Sequence, residues 1–441
     1  MPLPLYPYQL EGSAFLKRTP LALLADACGI GKTPQAVNAC RDLKNVLVIG
    51  PAVSKLNWQR EFIKFGDRHA YVVGGSKKQA PSNVVITNYE QVVNKLPTYF
   101  KTRWDVIILD ESHFCKSVDS RRAHAVFGVG GLVHNAQRVW CLSATPAPNN
   151  ASELYIMLRA FGRTTMTYDG FVARYCNCIA VRKTANAKRI QGTNKAMAPE
   201  LIKMLEPIML RRNKSQVLKD LPSITFSTVA IESAYDPLQD FPEMKDKLRE
   251  EWAVLKEKIN LQDLNLPDEK LLKAMSVLAP GIATLRRYHG LKKAATCADI
   301  LSGELENKAY DKVIIFAVHK DVVNMLAKLL KKFGVVKVVG GMSLKNKQKA
   351  QDEFQDLASG KRVFIGNILS AGTNINLTAA HQVVFVEEDY VPGNNHQAAM
   401  RPHRPPQTMP VTVRAFGLAG FDERITRILT RKTEEIKTFI D

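Results

Sequence analysis

The sequence predicts an α/β chain of two parallel-sheet lobes with a helical insertion between them. Three observations carry that expectation. Short β-rich runs alternate with longer amphipathic stretches, the pattern of a parallel sheet covered by helices. The runs fall into two separate sets, one on each side of a charged central stretch. The length, 441 residues, exceeds the roughly 150 residues typical of one domain.

The first set comprises Leu21–Ala25, Asn45–Ile49, Val84–Thr87, Val106–Leu109 and Val139–Ser143. The second comprises Val313–Ala317, Val335–Val339, Val363–Gly366, Gln382–Val386 and Pro410–Ala415. Between them Asp236-Pro237 reads as a helix start, an acid before a proline at the first helical position. Leu248, Trp252, Leu255 and Ile259 then share one helical face amid charges. Phe421 to Asp441 reads as one amphipathic helix. The expected division is 1–222 for the first lobe, 223–300 for the helical link and 301–441 for the second lobe.

Hydrophobic residues make up 46% of the chain and charged residues 24%, which excludes a disordered or collagen-like polypeptide. Apolar runs such as Val106-Ile107-Ile108-Leu109 are strand-length, far short of the ~20 residues a bilayer span needs. Met1 to Pro7 lacks the charged start and apolar middle of a signal peptide. Seven cysteines without a C-x-x-C pair argue against a disulfide framework, and Cys176-x-Cys178 has no second pair at zinc-site spacing. A reducing compartment, the cytoplasm of a bacterial or virus-infected cell or a nucleus, is therefore expected. Lys and Arg number 62 against 42 Asp and Glu, a formal charge of +20, which favours a polyanionic partner.

Directly after the strand at Leu21 stands Asp26-Ala27-Cys28-Gly29-Ile30-Gly31-Lys32-Thr33, and Pro34 suits the first turn of a helix. Strand, loop and helix in that order make a phosphate-binding site. Gly29, Ile30 and Gly31 would curl their backbone N–H groups round a β-phosphate. Lys32 would reach the β/γ-phosphates, and the Thr33 hydroxyl would join a Mg²⁺ shell. The strict pattern G-x-x-x-x-G-K-[ST] fails, because its first glycine would fall at Asp26. A partner lies further on, where the apolar run Val106 to Leu109 ends in Asp110-Glu111-Ser112-His113. At a strand's end Asp110 can hold the metal through water while Glu111 orients and deprotonates the attacking water. Together the two motifs predict ATP hydrolysis with Mg²⁺.

The box Asp110-Glu111-Ser112-His113 resembles that of superfamily 2 helicases and translocases, and further matches follow in that family's order. Tyr6 to Gly12 resembles the Q-motif, which implies that Gln9 reads adenine. Leu24 to Thr33 is similar to the loop of the Swi/Snf-type branch, which also lacks the first glycine. Asn57-Trp58 with Glu61, Val85 to Glu90, and Ser143-Ala144-Thr145-Pro146 resemble motifs Ia, Ib and III. Leu210 to Pro222 is the match most specific to the Swi/Snf branch. Lys312 to His319 resembles motif IV of the annealing-helicase and fork-remodelling members. Ser370 to Leu377 resembles motif V, with Gly372 at the nucleotide, and Gln397 to Gln407 resembles motif VI. The resemblance implies two RecA-like lobes.

Arg401 and Arg404, three apart on a short helical turn, would face the same way and serve as arginine fingers. Met400 replaces the acid usual before the first of them, and Pro402, Pro405 and Pro406 are expected to stiffen the loop and end any helix near Arg401. Asn374 stands where motif V has glycine, and Tyr390 where the family has tryptophan.

The resemblance further implies DNA contacts by Thr87, Asn88 and Thr145 in the first lobe and by Gly341, Ser343 and Ser370 in the second. Contacts of that kind grip phosphate without reading sequence. Trp58 reads as a core residue of an amphipathic helix. With little beyond the motor and compact loops that would suit a bacterial or viral genome, the expected function is an ATP-driven translocase on duplex DNA. It would remodel branched DNA by branch migration, fork reversal or annealing. A strand-separating DNA or RNA helicase, a displacer of DNA-bound protein and an ATP-dependent switch stay open as alternatives.

Overall fold

The computed structural model describes residues 3–75, 79–180, 188–218, 220–231, 279–371, 375–389 and 391–418. The expected helix starting at Asp236, with Leu248, Trp252, Leu255 and Ile259, lies outside them. So do Gly372, Asn374, Tyr390 and the stretch from Phe421 to Asp441. The described residues form two compact units, one ending at Asp220 and one starting at Leu221.

The first unit is built on β1 (Leu21–Leu24), β2 (Val46–Gly50), β3 (Tyr71–Val72), β4 (Val84–Asn88), β5 (Val106–Asp110), β6 (Val139–Leu142) and β9 (Met209–Leu210). They pair in parallel in the order β3-β4-β2-β5-β6-β1-β9. Both faces are covered, which explains strands that are apolar at every position rather than alternately. Ala22, Leu24, Val46 and Val48 enter one core with Trp58 and Phe62. Leu23, Leu47 and Ile49 enter the other with Tyr89 and Phe171. An antiparallel hairpin, β7 (Cys176–Ala180) and β8 (Lys188–Thr193), stands apart from this sheet.

The register matters for function. Leu24 of β1 and Asp110 of β5 both pair with Leu142 of β6. The chain therefore leaves β1, β6 and β5 side by side at one edge, the carboxyl end where parallel sheets bind ligands.

The second unit carries β10 (Ile224–Ile231), β11 (Val313–Ala317), β12 (Val335–Val338), β13 (Val363–Asn367), β14 (Gln382–Phe385) and β15 (Val411–Leu418). Again all pairs are parallel, in the order β10-β15-β14-β11-β13-β12. The helix Ala279–Glu306 covers one face. Tyr288, Leu291, Ala294, Ala298, Leu301 and Leu305 recur at helical spacing and are buried against Val313, Ile315 and Val384.

All ten expected strands are present; nine end within one residue of expectation, and β15 runs three residues further, to Leu418. Among the described residues, five strands were not expected. Two of them, β3 and β9, hold two residues each. Strand β10 has a different cause: it is the sheet's edge, and Thr225 to Thr228 are exposed. An edge strand needs no continuous apolar run, so its Ser and Thr content hid it.

Candidate active site

The loop Asp26–Gly31 leaves β1 and turns into the helix Lys32–Ala39. Two glycines make the turn in the left-handed region, Gly29 at φ 85° and Gly31 at φ 94°. Gly31 has a second reason to lack a side chain: a Cβ there would stand 2.4 Å from Gln9 Nε2. Gln9 and Tyr8 both reach the loop, donating to the Ile30 carbonyl from Nε2 at 3.0 Å and from the hydroxyl at 2.9 Å. The Gln9 Oε1 accepts from Tyr6 N–H at 3.1 Å, and the Tyr6 and Tyr8 rings stack at 5.8 Å. Lys32 Nζ rests on the loop's own carbonyls, 2.8 Å from Asp26 O and 3.5 Å from Ala27 O. Thr33 follows at half-exposure.

At the end of β5, Asp110 is buried. Burial first, then the Glu111 carboxylate, holds its carboxyl above the usual carboxylate range. The Trp58 indole, the Lys32 ammonium and the Ser54 hydroxyl pull the other way. The register that sets Leu24 and Asp110 on either side of Leu142 brings the loop and the acid to one site. Trp58 is core, as expected, but it is more than core: its Nε1–H donates to Asp110 Oδ2 at 2.8 Å. Tyr89 donates its hydroxyl to the Asp110 carbonyl at 2.9 Å. Glu111 adopts φ 49°, a left-handed conformation that costs a non-glycine residue roughly 1–2 kcal/mol. Strain of this kind concentrates at functional sites.

His113 Nδ1 lies 2.9 Å from Ser143 Oγ and 3.4 Å from Glu111 Oε2. Burial, followed by the Lys116 charge, lowers the imidazole to about 4, so the ring is neutral near pH 7. Ser143 Oγ also accepts from Thr145 N–H at 3.2 Å.

A nucleoside triphosphate with Mg²⁺ fits these residues. Gly29 and Gly31 hold the loop backbone in a left-handed turn that a side chain would strain, and a Cβ at Gly31 would collide with Gln9. The one lysine of the loop leans on neutral carbonyls, and a buried acid faces it across the strand ends. Gly29 to Thr33 and Asp110 would hold the group, which when bound supplies a cleavable phosphoanhydride and a charge-neutralising cation.

The six expected DNA-contact residues divide. Thr87 is a correction: it is buried, and its hydroxyl shares a hydrogen bond of 2.7 Å with the Tyr99 hydroxyl. A side chain sealed into the core offers nothing to a phosphate. Asn88 is also buried, donating to Glu90 Oε2 at 2.5 Å and accepting from Lys55 Nζ at 3.4 Å. Thr145 is half-exposed.

In the second unit Gly341, Ser343 and Ser370 follow the adjacent strands β12 and β13 and gather at one edge. A Cβ on neighbouring Gly340 would sit 3.5 Å from Ser370 Oγ. Gly341 adopts φ 87° in open space, and Ser343 caps the helix Leu344–Gln355 by accepting from Asn346 N–H. Lys347, which the sequence analysis did not single out, places its Nζ at the same edge, donating to the Ser370 carbonyl at 3.5 Å.

In motif VI the helix ends near Arg401, as the prolines lead one to expect, and the helical turn expected to carry both arginines is corrected. The helix Pro392–Ala399 ends before Arg401, and residues 401–404 are bends rather than a helical turn. Pro402 lacks the N–H a further turn needs, and Pro405 and Pro406 extend the break. The loop is pinned instead. Gln407 Nε2 donates to the Ala380 and Thr378 carbonyls at 2.9 and 3.1 Å. His403 Nε2–H donates to Pro222 O at 2.7 Å. Arg401 is buried and Arg404 half-exposed.

A phosphate loop and an acid pair at neighbouring ends of an all-parallel sheet define the first unit as a P-loop nucleotide-binding core. The chain belongs to the SNF2-related family: the SNF2-related domain matches residues 8–248, and the helicase conserved C-terminal domain matches residues 292–406. It is 32% identical over 91% of its length to a Caenorhabditis elegans homolog of SWI/SNF-related matrix-associated actin-dependent regulator of chromatin subfamily A-like protein 1. It is 26% identical over 98% of its length to the human DNA annealing helicase and endonuclease ZRANB3. The chain spans 56% of the first relative and 40% of the second. A Sulfolobus solfataricus SWI2/SNF2 ATPase core in complex with dsDNA is 22% identical at a TM-score of 0.44, covering 99% of this chain and 93% of that one. No described helix is long and apolar enough to cross a membrane.

Proposed function

We propose that this protein is a DNA-dependent ATPase that uses ATP and Mg²⁺ to move along double-stranded DNA and remodel branched DNA. Branch migration, fork reversal or strand annealing in replication, recombination or repair is the work proposed. The observation that carries this is the Lys32 loop set beside Asp110-Glu111 in a chain of the SNF2-related family. Lys32 and the loop amides hold the β- and γ-phosphates, Thr33 and Asp110 hold the metal, and Glu111 orients water. Gln9 reads the base, and Arg401 and Arg404 are proposed arginine fingers. Thr145, Gly341, Ser343, Ser370 and Lys347, with Asn88 through its backbone, are the proposed phosphate contacts. The names of the relatives, a DNA annealing helicase and a RAD54-like DNA repair and recombination protein, support DNA as the track. The formal charge of +20 supports a polyanion.

The test is the ATPase rate without nucleic acid and with single-stranded DNA, duplex DNA, a four-way junction or RNA, using a Lys32→Ala chain as the blank. Duplex or junction DNA is expected to stimulate most. Stimulation chiefly by single strands or RNA would replace this reading with a strand-separating helicase.

A further inference from the structure

One buried polar cluster lies beneath the phosphate loop and takes no part in the chemistry proposed above. Its centre is Asp26, the residue standing where a strict phosphate loop has its first glycine. The carboxylate is fully buried. Arg212 meets it as a fork, with Nη2 2.6 Å from Oδ2 and Nε 3.1 Å from Oδ1. Gln35 closes the triangle: its Nε2 donates to Asp26 Oδ2 at 3.0 Å, and its Oε1 accepts from Arg212 Nη2 at 2.9 Å. Arg212 Nη1 reaches the Tyr8 carbonyl at 2.5 Å, and the Arg212 carbonyl accepts from Ala27 N–H at 3.0 Å. Gly12 makes the space, since a Cβ there would stand 1.7 Å from Gln35 Oε1 and 2.8 Å from Arg212 Nη2.

A buried ion pair is a poor device for stability, because desolvating both charges offsets their attraction. What two parallel N–H···O bonds do supply is orientation, fixing both the place and the plane of the carboxylate. Here the clamped residue is the one whose own carbonyl receives Lys32 Nζ. The neighbouring Arg211 extends the same support, its Nη1 lying 3.4 Å from Ala25 O and 3.3 Å from Ala144 O.

We propose that Arg212 is a positioning residue for the phosphate loop: it clamps Asp26, sets the loop's entry in place of the absent glycine, and thereby aims Lys32. The segment that ends the first unit is then part of the support of the nucleotide site. This rests on the nucleotide-binding reading given above.

The test pairs thermal melting with titration of a fluorescent ATP analogue and Mg²⁺ on the full chain. The double variant Asp26→Asn/Arg212→Met removes both charges, so neither is left buried alone. It is expected to melt near the wild-type temperature yet bind the analogue about tenfold or more weakly, the usual effect of losing a supporting partner. Arg212→Lys keeps a charge beside Asp26 but loses the fork, and is expected to fall between the two. A double variant that folds and binds as wild type does would overturn the proposal. If the double variant melts far lower, Arg212→Lys decides, and wild-type binding by that variant would overturn it equally. A wild-type chain that binds no analogue would instead sink the nucleotide reading, and this inference with it.

Discussion

The Asp110 carboxylate is supported by neighbours of different kinds, the Trp58 indole, the Lys32 ammonium and the Ser54 hydroxyl. Trp58→Phe keeps an aromatic ring in the core but deletes the donor to Asp110 Oδ2. The expected result is a roughly tenfold rise in the Mg²⁺ concentration needed for half-maximal hydrolysis, the scale typical of partners behind a metal ligand. An unchanged Mg²⁺ titration would reduce Trp58 to packing alone. Lys32→Ala is expected to lower ATP hydrolysis by about 10²–10³-fold, since a preorganised cation is lost where charge develops. Its melting temperature should stay put, because the contacts described for Lys32 Nζ are with loop carbonyls. His113 predicts a pH effect. Unfolded, it takes a proton near pH 6.5; folded, burial lowers it to about 4. The unfolded chain therefore binds more protons between those values. Stability on this account is full above about pH 6.5 and falls as pH drops toward 4, by at most on the order of 3 kcal/mol. Denaturant melts of wild type and His113→Gln at pH 7.5, 6 and 5 measure it, and parallel pH slopes would refute it.

The strands and the turns between them carry a different kind of constraint. Gly334 joins a short helical turn to β12 at φ 71°, and a Cβ there would meet the Gly360 carbonyl at 2.2 Å. Both backbone conformation and space refuse a side chain. Gly334→Ala is expected to cost about 1–3 kcal/mol, read as a lower melting temperature; a change within error would mean that Gly360 yields freely. Elements also separate the legible from the illegible. The central strands of both sheets were readable because burial on two faces demands uninterrupted Val, Ile and Leu. Strand β10 and the hairpin β7–β8 were not, because an edge or a detached ribbon can carry Thr, Lys and Asn.

For the whole molecule, the expected signature is electrostatic. On the proposed reading, in which a chain of formal charge +20 grips phosphates without reading bases, affinity should fall as salt rises, linearly in log–log form. Titration of duplex DNA between about 50 and 200 mM salt checks this. A flat dependence, or a strong preference among duplexes of different sequence, would contradict phosphate-only contact. Stimulation of hydrolysis should weaken over the same salt range if the track and the motor are coupled.

The residue order alone was enough for the phosphate loop, the acid pair, both parallel sheets and the family, because each depends on contiguous residues whose chemistry shows in local spacing. Gly29-Ile30-Gly31-Lys32-Thr33 and Asp110-Glu111 are such runs. Contacts between distant residues have no local trace. Asp26 read as a missing glycine until folding set Arg212 against it, 186 residues away. Thr87 read as a phosphate contact until Tyr99 closed over its hydroxyl. Trp58 read as packing until its indole N–H met Asp110, 52 residues on. Burial and pairing are properties of the assembled sheet, so they emerge only when strands far apart in the chain are brought edge to edge.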